Sequence, residues 1–225
     1  MKYFYLNTFN EKDEYKSSIQ IYSKSPSDDP MDDKGIYGFS RIDFPEIPEI
    51  KYLLLDKNAD LLDIINAPML TFTGLLMNNR TQKIFMSYML PSHKYYPAYI
   101  KDYKANIFEY VWLQTSSERN YDNFMDYKKS QFYWKKDYGN IEREDIEINS
   151  LQDLEDFKIK LKKGQGIRVK IVVLKTDFLN LNIDLFKIAR LSNDWIISER
   201  LKIALEENEI TGISFKEVGN LIVDS

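Results

Sequence analysis

The stretch that most constrains this chain lies near its C-terminus, from Asp184 to Val218. Trp195-Ile-Ile197 is a short apolar run of strand type, followed directly by Ser198. A serine hydroxyl in that position can accept a hydrogen bond from an amide of a helix's first turn. Glu199 then falls in that turn, where a carboxylate suits the positive end of the helix dipole. Leu201, Ala204 and Leu205 follow at i, i+3 and i+4 as one apolar face, and Arg200, Lys202, Glu206 and Glu207 take the rest. Asn208 to Gly212 is a stop signal, and Ile213-Ser-Phe215 begins another strand. The unit is strand, capped helix, tight turn, strand.

The rest of the chain reads mostly as strands. Residues 2–8 and 18–22 are aromatic or alternating runs, separated by a charged turn. Residues 23–35 are Ser, Pro and Asp with almost nothing apolar, which predicts a loop. Further strands are predicted at 52–55, 83–90, 106–113, 131–134 and 167–174. Helical turns are predicted at 60–65 and 74–78, the latter capped by Thr73. Pro91 to Tyr99 reads as a turn-rich connection. Ser150 caps a helix to about Lys163, with Asp153 in the capping-box position and Leu151, Leu154, Phe157 and Leu161 on one face. Many strands and few helices without a βαβ rhythm predict an α+β fold, with mixed, mainly antiparallel sheets and a few short helices. Asp60 to Ile64 echoes Asp184 to Ile188, and Thr71 to Leu76 echoes Ile196 to Leu201. So few identities fit chance, or a diverged duplication into two pseudo-repeated lobes. The expected organisation is one domain over 1–225, with an N-terminal lobe 1–115 and a C-terminal lobe 116–225 as the alternative.

Composition bounds the function. At 225 residues the chain can bury a core without staples. It has no cysteine, so disulfides and thiolate-held metals are excluded, and a reducing compartment is permitted. The apolar run at the N-terminus is too short for a signal peptide, and no run reaches the roughly 18 apolar residues of a membrane helix. A cytoplasmic protein without membrane contact is expected. The net charge of −4 argues against a sequence-tolerant nucleic-acid binder, which is usually basic. It is ordinary for a soluble protein and would also steer a basic partner. Sixteen Tyr and thirteen Phe accompany much Asn, Ile and Lys, a bias that an AT-rich genome produces by itself.

Catalytic patterns are scarce. The one histidine, His93, reads as a surface residue beside Lys94, and one His without Cys makes no His/Cys metal site. The acidic run Asp28, Asp29, Asp32, Asp33 fails calcium-loop spacing, because positions 3 and 12 are Pro30 and Phe39. Gly164-Gln-Gly166 follows a helix and precedes a strand, the reverse of a dinucleotide loop. Lys128, Lys129, Lys135 and Lys136 flank Gln131 to Trp134, but Asp126 and Asp137 dilute the charge, and a sheet edge is the simpler reading. No cofactor and no bound metal are expected.

The runs Asp184-Leu-Phe-Lys187, Ile197-Ser-Glu-Arg-Leu-Lys202 and Ile210-Thr-Gly-Ile-Ser-Phe215 resemble the C-terminal signature of a bacterial immunity-protein family of polymorphic-toxin systems, once known only as a domain of unknown function. Its members typically carry an (I/V)SE followed by a basic helix and close on (I)TG(I/L)xF. Tyr127 to Phe132 is similar to a shorter hydrophobe-Asp-x-x-Ser-x-Phe pattern of related members. The strong part covers about a sixth of the chain. The resemblance implies a non-enzymatic protein that binds and neutralises a cognate toxin by covering its active or substrate-binding surface. It transfers no catalytic residue, and Ser198, Glu199, Arg200, Thr211 and Gly212 read as structural. By residue type, the candidate partner contacts are the acidic loop Asp28, Asp29, Asp32 and Asp33 and the aromatics Tyr95, Tyr96 and Tyr121, taken as exposed. Trp112, Trp134 and Trp195 are expected in the core. The alternatives are a carboxylate-dependent enzyme, with pairs such as Asp122 and Asp126 or Glu142 and Glu144, and a structural or regulatory subunit.

Overall fold

The structure, a computed structural model, describes residues 2–8, 19–21, 44, 46, 50–55, 57, 59–67, 74–116, 120–135, 143–162, 165–188 and 194–224. The elements run β1 (Tyr3–Asn7), β2 (Ile19–Ile21), β3 (Ile50–Leu55), β4 (Ile64–Ile65), β5 (Gly74–Asn78), α1 (Asn79–Phe85), β6 (His93–Lys101) and β7 (Ile107–Thr115). A 3-10 turn (Asn120–Phe124) leads to β8 (Gln131–Lys135), β9 (Arg143–Ile146), α2 (Leu151–Ile159), β10 (Gly166–Leu174) and α3 (Asp177–Asn180). The chain closes with β11 (Leu185–Phe186), β12 (Trp195–Ser198), α4 (Glu199–Glu207), β13 (Ser214–Glu217) and β14 (Leu221–Val223). Three sheets form, in the orders β11-β12-β1-β13, β14-β10-β8-β9 and β2-β3-β6-β7-β5-β4. Only β3 with β6 and β10 with β14 pair in parallel among the described strands, so the fold is α+β and mostly antiparallel.

Two of these sheets repeat one plan. The strand order β4-β5-β7-β6, with α1 after β5, matches β11-β12-β1-β13, with α4 after β12. The matching pairs are all antiparallel. Asn78 and Ser198 are the two helix N-caps, accepting from the amides of Thr81 and Leu201. The amide of Asn78 donates to the Asp63 carbonyl at 2.9 Å, and that of Ser198 to the Asp184 carbonyl at 3.0 Å. Asp63, not Asp60, is therefore the counterpart of Asp184, and Asn78 that of Ser198. The echo of Thr71 to Leu76 with Ile196 to Leu201 is likewise out of register, since β5 rather than a helix stands opposite β12. In the second repeat the strand equivalent to β7 is β1, supplied from the start of the chain. The strand pairing thus does not respect a boundary near residue 115.

Burial follows the pattern. Leu6, Leu75, Met77, Leu113, Trp195 and Ile197 meet Phe85 of α1 and Leu201 and Leu205 of α4 in one core between the repeats. The opposite face of the six-stranded sheet buries Leu76, Tyr96, Ala98, Ile100, Tyr110 and Trp112. The opposite face of β11-β12-β1-β13, with Tyr3, Phe186 and Ile196, packs on the sheet β14-β10-β8-β9 and α2 through Phe132, Leu154, Val172 and Leu174. Ser150 caps α2 as expected, accepting from the Asp153 amide at 3.0 Å.

Four local expectations are corrected. Residues 74–78 are a strand, because Gly74 lies so close to β7 that a Cβ would collide with the Leu113 carbonyl. Residues 83–90 do not form a strand. Thr81 and Phe85 are buried and Ile84 and Tyr88 pack beside them, an i, i+3, i+4, i+7 spacing that belongs to α1 and its exit turn. Residues 91–99 are not a connection, since Tyr96, Ala98 and Ile100 alternate into the core and build β6. Of the helical turns expected at 60–65, Ile64 and Ile65 instead pair with β5. Thr73 lies outside the described residues.

Candidate functional site

The signature residues resolve into two matched pins that fasten the repeats to each other. The Asp184 carboxylate is fully buried and accepts from Ser198 Oγ at 2.5 Å and Arg200 Nε at 2.5 Å through Oδ1. Its Oδ2 accepts from Arg200 Nη2 at 2.6 Å and from the backbone amide of Met89, in the first repeat, at 2.8 Å. Asp63 repeats the arrangement in the other direction. Arg80 donates to it from Nε at 3.3 Å and Nη2 at 2.7 Å, and Asn78 Nδ2 at 2.6 Å. The Thr211 amide and hydroxyl, in the second repeat, donate to Oδ2 at 2.9 and 2.8 Å. Each aspartate is thus held by the arginine of its own helix and by backbone of the other repeat. Burial alone would raise the Asp63 carboxyl, but the bonds from Arg80, Thr211 and Asn78 outweigh it and lower it to about 2. Gly212 follows with φ +87°, and a Cβ there would collide with the Ile64 carbonyl. Glu199 is exposed at the start of α4. Ser130, in the shorter pattern, is buried, donates to the Asp126 carbonyl at 2.7 Å and accepts from the Val173 amide at 3.0 Å. Pairing and hydrogen bonding of this kind is what a buried charge requires.

What reaches the surface is the long hairpin of β6 and β7. Its turn is locked by Asp102, whose Oδ1 accepts from the amides of Lys104 and Asn106 at 2.8 Å each. On the side of α1, beyond the part that the helix covers, the hairpin leaves an open groove of about 280 Å³. Tyr95, Pro97 and Val111 line it, Asn79 and Gln82 of α1 form one wall, and Tyr99 and Glu109 face each other across the strands. Tyr95 is half-buried, and its hydroxyl is buried without a hydrogen-bond partner among the described residues. Burial pushes that hydroxyl up to about 12. Toward the turn, Tyr103 and Ile107 are 60% and 65% exposed, so apolar surface continues past the groove. A second, wider furrow of about 560 Å³ lies between α1 and α4, bordered by Arg80, Lys83, Tyr88 and Asn208. Arg80 is already committed there to Asp63.

The expected partner contacts fall out unevenly. Asp28, Asp29, Asp32 and Asp33 lie outside the described residues. Tyr96 is not exposed: it is 1% accessible and stacks on Trp112 at 5.4 Å, because it points to the opposite face of β6 from Tyr95. Tyr121 is half-buried and packs on Phe178 and Phe186, at 6.0 and 5.7 Å between ring centroids. Of the three tyrosines, Tyr95 alone lies both on the α1 side of the hairpin and in the groove lining, half-buried against the core between the repeats. Trp112 and Trp195 are buried and Trp134 is half-buried. His93 is exposed, with Nδ1 2.8 Å from the Pro91 carbonyl, which can only accept, so Nδ1 carries the proton. Among the described residues no group of three or more His, Asp or Glu is placed to hold a metal, and no helix is long and apolar enough to cross a membrane. Sequence reasoning passed over Tyr99, Glu109 and Gln82. The two-residue alternation of 95, 97, 99 against 96, 98, 100 was the available signal. No protein-family model matches the chain, and a search of curated proteins gives no match.

Proposed function

We propose that this chain is a non-enzymatic immunity protein whose surface for its cognate toxin is the β6–β7 groove. The resemblance of the Ser198 and Thr211 segments to the immunity family motivates the role. The observation that carries the choice of surface is a run of half-buried Tyr95 and Tyr99 and exposed Pro97, Tyr103 and Ile107 on one face of a hairpin with a locked turn. Tyrosine brings contact area at low entropic cost, and protein interfaces concentrate energy in a few such anchors inside a charged rim. The rim here is Lys101, Glu109 and Lys104. The reciprocal Asp63 and Asp184 pins support the reading, because a pre-organised surface loses little entropy on binding.

The test is growth rescue. The product of the gene immediately upstream, the partner that the resemblance implies, is expressed alone, with this protein, and with its Tyr99→Ala, Tyr103→Ala double variant. Rescue by the wild-type protein and at least tenfold weaker binding by the double variant are expected, the size for two interface anchors of about 1 kcal/mol or more. A neighbour that is harmless, or toxic yet neither bound nor neutralised, contradicts the role. Full rescue and unchanged binding by the double variant contradict the surface.

A further inference from the structure

The two repeats differ at one place where their plan says they should agree. Matching Asn78 to Ser198 aligns Gln82 with Lys202, Val111 with Phe4, Tyr95 with Phe215 and Glu109 with Lys2. In the second repeat Lys202 lays its ammonium over both aromatic rings, 5.1 Å from the Phe4 centroid and 5.5 Å from that of Phe215. Glu206, one turn on, holds it at 2.5 Å. A cation over aromatic faces with a carboxylate beside it is a stable arrangement. In the first repeat the helix offers Gln82 in place of the lysine and Met86 in place of Glu206, and the space is the open groove. The carboxylate is still present, moved to the strand: Glu109 is exposed, where the second repeat has Lys2. Among the described residues no cation pairs with Glu109.

We propose that the groove takes the side chain of a lysine or arginine from the bound protein, seated against Tyr95 and Tyr99 and paired with Glu109, so that the partner supplies the cation that Lys202 supplies internally in the other repeat. The proposal rests on the groove being the partner surface, and it names the anchor chemistry of that partner. A protein of net charge −4 attracts a basic partner at long range, and the groove gives that attraction a specific end point.

The test uses the full chain and two small probes, so that it is decided separately from toxin neutralisation. N-Ethylguanidinium, the end of an arginine side chain, is titrated against protein labelled at tyrosine and glutamine, and N-ethylurea serves as its neutral match. The guanidinium is expected to move the ring signals of Tyr95 and Tyr99 and the side-chain amide of Gln82 in a saturable way, and the urea is not. Glu109→Gln should weaken the guanidinium about fivefold, the scale of one exposed charge pair. Gln82→Lys, which copies Lys202, should fill the groove from within and abolish the response while leaving the melting temperature unchanged or higher. Equal shifts from the urea, no localisation to Tyr95 and Tyr99, or full binding by the Gln82→Lys protein would overturn the proposal.

Discussion

At the scale of the residue, two carboxylates tie the repeats together. Asp184 is completely buried and its bonds join a helix arginine, a cap serine and a backbone amide of the other repeat. Asp184→Asn turns part of an acceptor-only group into a donor facing donors. The expected loss is on the order of 3 kcal/mol, the cost of breaking a buried ion pair from one side, measured by urea unfolding. Asp63 gives a pH signature. Its carboxyl is lowered to about 2 from the ordinary 3.8, so the folded state binds the proton less readily than the unfolded chain. Its contribution is complete above about pH 4, the unfolded value, and is lost as pH falls toward 2. Asp63→Asn should be less stable than wild type at neutral pH and should lose correspondingly less between pH 4 and 2; parallel curves would place the acid-sensitive group elsewhere. Neither pin was legible in the sequence. Asp63 and Thr211 lie far apart in the chain, and nothing local in Asp60 to Ile64 tells the pinned aspartate from its neighbour.

At the scale of the element, what could be read was what is decided locally. Ser198 caps α4, Leu201 and Leu205 bury its inner face, and Gly212 turns the chain with positive φ, all within one short window. Ser198→Ala removes the cap and the bond to Asp184 together, and should cost about 1–2 kcal/mol. Helix α1 was legible only in part. Ile84, Phe85 and Tyr88 look like strand residues by type, and only their spacing against Thr81 marks a helix. The origin of β1 could not be read at all, since no local pattern says that the first strand completes a sheet built from the last. Deleting residues 1–7 takes Tyr3 and Leu6 out of two cores and leaves β12 and β13 without the strand between them. The truncated protein should lose cooperative unfolding by circular dichroism and regain it when a peptide of residues 2–8 is added. A truncated protein that still unfolds cooperatively would refute the strand's role.

At the scale of the whole molecule, the duplicated plan explains why a surface can be spared. One repeat closes its groove with its own lysine, and the other leaves the matching groove open on a hairpin fixed by Asp102. The pins hold the two repeats in one arrangement, and the open groove carries the proposed immunity role. The sequence pointed to a tyrosine-bearing surface through Tyr95 but could not separate it from Tyr96, because facing depends on the register of β6. The decisive measurement is the affinity of this protein for the product of the gene immediately upstream, by titration calorimetry at low and high salt, with wild type and Glu109→Lys. If the groove seats a basic anchor of the partner, binding is tight, weakens as salt rises and falls at least tenfold when Glu109 becomes a cation, about 1.4 kcal/mol or more. Tight binding indifferent to both salt and Glu109→Lys would contradict that seating.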